Sequence, residues 1–281
     1  MSEPKVMLVT GASKGIGLAM VIQALKAGYA VAATSRNVDR LAAQVAQAAP
    51  DQQGQFLPLE MQFEAPSIQA AVAKVMARWG RLDVLVNNAG YAILGAFEEF
   101  SLAEVKQNFD VNVFGLMQMT QAVLPIMRAQ QQGRIINIAS ISGTVTGPSQ
   151  SIYSATKAAV IMMSEALAAE VAPFGIQVTA VGPSGVRTDF LDGRSMKRPA
   201  KTLPEYQVVA QTMTGLGQLN HHQSGDPVLV GQAIVKLAQM AHAPRRLYLG
   251  NWSVAALQTK IEEVVNEVNQ HLDLTQSIDH E

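Results

Sequence analysis

Short runs of β-branched and aliphatic residues recur along the chain at 6–9, 30–34, 56–59, 84–86, 134–139, 176–181 and 247–249. Each is too short for a stable helix and gives way to polar or glycine positions, which predicts seven buried strands. Between them apolar residues fall three and four apart, as at Ile68, Val72, Val75, Met76 and Trp79, with Gly28 and Gly80 placed to end such helices. Strands alternating with helices predict an α/β fold in which helices cover both faces of a mostly parallel sheet.

Capping signals sharpen several helix starts. Ser101 with Glu104 makes a capping-box pattern, and Asp226 precedes Pro227 at a first helical position. The helix from Leu102 is expected to stop or bend at Pro125, another to run over 152–172, and a short one over 204–213. The stretch 184–225, rich in Gly, Ser, Thr, Lys, Arg and Pro, reads as a mobile lid over a substrate. In the tail 251–281, Val254, Leu257, Ile261, Val264, Val268 and Leu272 form one apolar stripe opposite Glu262, Glu263 and Glu267. Packing of that stripe back onto the domain is expected, with a zipper as the alternative. No repeat or low-complexity linker divides the chain, so 1–281 reads as a single catalytic domain.

With 48% hydrophobic residues over 281 positions the chain can bury a full core. Twenty-one basic against twenty-two acidic side chains leave a net charge of −1, which argues against a nucleic-acid partner or a polybasic membrane patch. The absence of cysteine removes a disulfide framework, a thiolate metal site and a cysteine nucleophile. His221 and His222 are adjacent, which does not aim two rings at one ion, so no metal is expected. No apolar run approaches the ~18 residues of a membrane span, and the first ends at Thr10-Gly11, too early for a signal peptide. A soluble, cytoplasmic protein is expected.

The candidate chemistry begins at Thr10-Gly11-Ala12-Ser13-Lys14-Gly15-Ile16-Gly17, between the first strand and a helix over 18–25. A glycine turn there aims free backbone N–H groups and the positive helix end at one point, where a pyrophosphate can sit. The second strand ends Ala33-Thr34-Ser35-Arg36 without the acid that would accept from a free ribose 2′-hydroxyl. Arg36 and Lys14 instead offer cations to a 2′-phosphate, so a dinucleotide that carries this phosphate is expected over one that lacks it. Tyr153 and Lys157 lie four apart on one helix face, where a nearby ammonium is expected to lower the phenol's pKa from its usual ~10.

The glycine turn, together with Asn87-Asn88-Ala89-Gly90 and Tyr153-Ser154-Ala155-Thr156-Lys157, resembles the short-chain dehydrogenase/reductase family over roughly residues 5–250. The resemblance implies a doubly wound Rossmann-type parallel seven-stranded sheet, strand order 3-2-1-4-5-6-7, with helices on both faces. It implies a proton exchanged between Tyr153 and a substrate carbonyl or alcohol oxygen, with Ser140 bonded to the same oxygen. Lys157 would bind the nicotinamide ribose, and Asn112 would support a relay water. Cofactor contacts are implied at Gly11, Ser13, Lys14, Gly15, Ile16 and Gly17 in the turn, at Arg36, and at Glu60 and Met61 near the adenine. Further contacts are implied at Asn88, Ala89 and Gly90, at Tyr153 and Lys157, and at Pro183, Val186 and Thr188. In Gly182-Pro183-Ser184-Gly185, Ser184 stands where the family usually has glycine. The expected walls of the substrate pocket are 91–94, 142–145, Ser184, Phe190, Met196, Tyr206 and Met213, which suit a hydrophobic ketone or secondary alcohol. Pairing through the helix of Tyr153 implies a homodimer or homotetramer. A non-catalytic NADP-binding sensor or scaffold is the competing reading; an epimerase or dehydratase is disfavoured by the glycine spacing.

Overall fold

Residues 3–193 and 195–279 are described by the structure, a computed structural model; Arg194 of the expected lid and the last two positions of the tail lie outside them. Among the described residues nine strands form: β1 (Val6–Val9), β2 (Ala30–Ser35), β3 (Phe56–Glu60), β4 (Val84–Asn87), β5 (Ala92–Ile93), β6 (Gly133–Ile138), β7 (Ile176–Pro183), β8 (Met196–Lys197) and β9 (Arg246–Leu249). The seven expected strands make one parallel sheet in the order β3-β2-β1-β4-β6-β7-β9, while β5 pairs with β8. That extra pair escapes a sequence reading because two residues carry no periodicity.

The helices are α1 (Gly15–Lys26), α2 (Val38–Ala48), α3 (Ala65–Trp79), α4 (Leu102–Phe109), α5 (Leu116–Gln130), α6 (Ser151–Val171), α7 (Gln207–Leu219), α8 (Pro227–Gln239), α9 (Asn251–Gln270) and α10 (Leu272–Gln276). Alternate residues of each strand face opposite layers, as side chains in a strand must. Met7, Val9, Val31 and Ile136 meet Met20 and Leu25 of α1 and Ile234 of α8. Leu8, Ala32, Leu85 and Ile135 meet Val75 of α3 and Met119 and Met127 of α5. Helices therefore cover both faces, and the strand order reverses at the boundary between β1 and β4. In such sheets that boundary opens a crevice beyond the strands' carboxyl ends.

Three expectations are corrected. Pro125 neither ends its helix nor marks its irregular stretch: α5 continues to Gln130, and the winding changes instead at Asp110–Gly115, a π-helical turn between α4 and α5. Pro125 sits on an exposed face, where water can take the carbonyl it leaves unpaired. The lid helix is longer than 204–213 and lies later, at Gln207–Leu219. The tail does not pack back. Val254, Ile261, Val264, Val268 and Leu272 are 41–54% exposed, because α9 leaves the sheet at Gly250 and buries only Ser253. No helix among the described residues is long and apolar enough to cross a membrane.

A buried polar chain locks the centre of the sheet to the helix that carries Tyr153. Asn87 Nδ2 donates to Asn137 Oδ1 at 2.9 Å and to Thr120 Oγ1 at 3.0 Å, and Asn137 Nδ2 donates to Ser164 Oγ at 2.8 Å. These bonds join β4, β6, α5 and α6. Asn137→Ala removes two buried hydrogen bonds while Thr120 still accepts from Asn87 and the Val160 carbonyl still accepts from Ser164, so at ~1 kcal/mol per bond a stability loss of about 2 kcal/mol is expected. Urea unfolding checks this as a lowered midpoint with an unchanged slope; a loss within ~0.5 kcal/mol, typical of a surface change, would show the chain of bonds is dispensable.

Candidate active site

The glycine turn is built from two close approaches. Gly11 adopts φ +66°, and a Cβ there would lie 2.7 Å from Ala89 Cα, so only glycine lets the exit of β4 lie against the turn. Asn88 then stitches the two segments together. Its Nδ2 donates to the Thr10 and Gly11 carbonyls at 2.9 and 3.0 Å, while the N–H groups of Asn88 and Ala89 donate to Thr10 Oγ1 at 3.0 and 3.2 Å. Lys14, the residue before α1, makes no capping bond from its side chain, and no acid stands in the helix's first turn. The helix start thus presents free donors and a positive end to an anion.

Of the expected site residues, all but Glu60 and Asn112 line one cavity of about 1160 Å³ at the carboxyl ends of the strands. Glu60 is exposed at the end of the edge strand β3, and Met61 beside it reaches the cavity in its place. At the end built by the glycine turn, whose Gly11 N–H donates to Thr34 Oγ1 at 3.3 Å, the Lys14 ammonium is shut off from solvent and has no hydrogen-bond partner. An occluded cation without a counter-charge is unfavourable unless a ligand supplies one. A phosphate there fits the donor set. The substitution at Ser184 leaves this wall intact: its backbone does not need the left-handed region, its N–H donates to the Leu249 carbonyl at 2.9 Å, and Val186 and Thr188 still line the cavity.

At the other end, α6 places Tyr153 and Lys157 one turn apart, both buried. Lys157 Nζ donates to the Ile138 carbonyl, the last of β6, at 2.8 Å and stands 5.9 Å from the Tyr153 ring centre. Ser140, two residues beyond β6, stands close enough to the Tyr153 phenol to act on its titration and accepts from the Ser142 N–H at 3.1 Å. The electrostatics differ from expectation. Burial pushes the Tyr153 phenol up to about 12, and the nearby Ser140 hydroxyl only partly offsets this. Burial likewise holds Lys157 down to about 8. Desolvation outweighs the anticipated attraction because both groups have left water for the same dry corner.

Asn112 stands behind the cavity wall on the π-helical turn. Its Nδ2 donates to the Tyr91 carbonyl at 2.9 Å and to Thr156 Oγ1 at 3.1 Å, and its Oδ1 accepts from the Tyr91 N–H at 3.0 Å. Thr156 in turn donates to the Tyr153 carbonyl at 2.7 Å. Asn112 therefore clamps the 91 segment against the helix of Tyr153 and Lys157. Gly90 passes through this narrow point: a Cβ there would sit 3.0 Å from Asn112 Oδ1 and 3.5 Å from Lys157 Nζ.

The substrate wall is partly as expected. Tyr91, Ala92, Leu94, Ser142, Ser184 and Phe190 line the cavity, with the Phe190 ring 6.1 Å from that of Tyr153. Ile93, Met196, Tyr206, Met213 and the stretch 143–145 do not. Met196, Tyr206 and Met213 pack behind the wall with Val209 and Ala96, and Thr144 is turned to Tyr248 OH at 2.6 Å. Leu216, Leu219, Trp252 and Gln150 line the cavity and were missed. The three-residue step from Met213 to Leu216 carries the lid helix past 213 and was the available signal; Trp252 offered none. His221 lies 3.4 Å from Asp192, where it joins the end of α7 to the turn after Phe190.

A family model described as short chain dehydrogenase matches residues 5–199. The 3-ketodihydrosphingosine reductase of Bacteroides thetaiotaomicron is 34% identical over 248 residues, which cover 88% of each chain. Among solved structures, a short-chain dehydrogenase from Streptomyces avermitilis is 35% identical, with a TM-score of 0.89 over 100% of both chains. ElxO with NADP bound is 25% identical, with a TM-score of 0.75 over 90% of this chain and 99% of that one.

The Lys157 shift carries a testable sign. A base whose pKa falls from 10.5 unfolded to about 8 folded binds fewer protons in the native state, so stability rises as pH climbs from about 8 toward 10.5. At ~1.4 kcal/mol per unit, wild type should gain about 2–3 kcal/mol on Lys157→Met between pH 7 and pH 10. Urea melts of both proteins at the two pH values read this difference directly; a constant gap would mean Lys157 keeps its proton on folding.

Proposed function

The chain belongs to the short-chain dehydrogenase family of oxidoreductases, and from that premise we propose that it is an NADP-dependent reductase of hydrophobic ketones, reversible to their secondary alcohols. The observation that carries the reading is one cavity with an unpartnered, occluded Lys14 ammonium at one end and the Tyr153–Ser140 pair beside Lys157 at the other. Lys14 and Arg36 would hold the 2′-phosphate, the N–H groups of the glycine turn the pyrophosphate, Lys157 the nicotinamide ribose, and Val186 and Thr188 the carboxamide. NADPH, when bound, supplies the hydride.

The protein's own part is to orient the carbonyl and provide the proton. Ser140 donates a hydrogen bond to the substrate oxygen, which fixes its position and favours the charge that develops there. Tyr153, held protonated by its dry surroundings, gives that oxygen its phenolic proton. Lys157, mostly charged at pH 7, stabilises the phenolate left behind. Leu94, Phe190, Leu216 and Trp252 supply apolar walls that exclude water and select hydrophobic bulk. The segment 184–225 acts as the lid of a single domain, since Val209 and Met213 of α7 pack in the same cluster as Tyr153.

Turnover of a ketone panel with NADPH, followed as NADPH oxidation matched by alcohol formed, tests the activity; binding without turnover would favour a sensor or scaffold. Tyr153→Phe should keep NADPH affinity and lose ~10²–10⁴-fold in kcat, since only the transferable proton is removed. Unchanged turnover would assign the proton to another group. Arg36→Asp should reverse the kcat/KM ratio for NADPH over NADH, because the carboxylate repels a 2′-phosphate and accepts from a free ribose hydroxyl. Lys14→Ala should lower the NADPH value without raising the NADH value. A wild type that already prefers NADH would overturn the cofactor assignment.

A further inference from the structure

We propose that α9 is a self-association element, and that its exposed stripe pairs antiparallel with α9 of a second copy of this chain. A helix of 20 residues standing in water on its own is marginal, yet α9 buries only Ser253 and leaves Val254, Ile261, Val264, Val265 and Val268 at 43–54% exposure. The spacing says what kind of surface covers it. Val254, Leu257, Ile261, Val264 and Val268 step by three and four in strict alternation, a period of 3.5. That is the narrow seam of a helix meeting another helix, whereas a helix lying on a globular body shows a broader face.

Charge excludes one occupant and selects an orientation for another. Residues 251–279 carry Lys260 against Glu262, Glu263, Glu267, Asp273 and Asp279, a net charge of −4, which repels an anionic lipid surface. In an antiparallel pair Ile261 meets the partner's Val264 and Leu257 meets the partner's Val268. Lys260, which flanks the seam, then falls beside the partner's Glu267, and the two-fold symmetry makes that contact twice. A parallel pair would set Lys260 against the partner's Val265, with no opposite charge to meet it. Within its own helix Lys260 has only a long exposed contact to Glu263 at 3.8 Å, which leaves it free to turn to the partner.

The natural absence of cysteine makes the test clean. Leu257→Cys and Val268→Cys chains, mixed and oxidised, should give a cross-linked dimer, while neither should cross-link alone, because antiparallel pairing holds identical positions about 16 Å apart at 1.5 Å per residue. Lys260→Glu in both chains should lower the mixed cross-link yield several-fold, and adding Glu267→Lys should restore it. Ile261→Asp with Val264→Asp, both exposed and remote from the cavity, should abolish the cross-link and leave ketone reduction unchanged. Cross-linking of either cysteine chain alone, or none in the mixture, overturns the proposal. So does retention on phosphatidylcholine vesicles that the double aspartate variant loses, since the stripe would then belong to a lipid surface.

Discussion

Everything at the reacting end of the cavity depends on holding an ammonium out of water beside a phenol. Lys157 is held there by one bond to the Ile138 carbonyl, which exists only because β6 ends at that level of the sheet and α6 crosses immediately beyond it. The arrangement is unfavourable on its own, as the depressed Lys157 and raised Tyr153 both testify. The surroundings therefore over-determine it. Asn112 and Thr156 fix the helix against the 91 segment, and the Asn87–Asn137–Ser164 chain fixes it against the strands. Strain stored at a site in this way persists only when neighbouring structure leaves no alternative.

Parallel pairing supplies the rest of the geometry. Val9 pairs with Val86, Val86 with Ile136 and Ile136 with Thr179, so β1, β4, β6 and β7 all release their chains at one edge of the sheet. The glycine turn, the Asn88 stitch, Ser140 and Thr188 are consequences of that common level. Two kinds of group are then set along one cavity: the basic side chains Lys14, in the glycine turn, and Arg36, after the second strand, and the buried titratable groups Tyr153 and Lys157 beyond the fifth strand of the sheet in chain order.

Most of this was legible from residues because it rests on local rules. Aliphatic runs marked the seven strands, and the motifs fell at strand ends where the structure places them. What escaped was set by tertiary balance. The π-helical turn at Asp110–Gly115 has no composition cue, and β5 and β8 are too short for periodicity. The spacing of Tyr153 and Lys157 correctly implied adjacency but not the depth of burial, and depth decided the direction in which their pKa values move. Periodicity likewise found the tail stripe without revealing that beyond its first turns α9 has no body beneath it.

Two of those departures have the same form. Lys14 has an occluded side-chain nitrogen without a partner, and α9 is an apolar face exposed without a cover. A chain optimised only to fold alone would contain neither, since each breaks a local rule with no compensation inside the molecule. The missing component has the opposite character in each case: an anion small enough to enter a cavity, and an apolar helix long enough to match a seam. The two violations also lie apart, one in the glycine turn after β1 and the other on a helix projecting beyond β9. Relief of one does not supply the other, and the two meet at a single residue, Trp252, which stands in the first turn of α9 and lines the cavity.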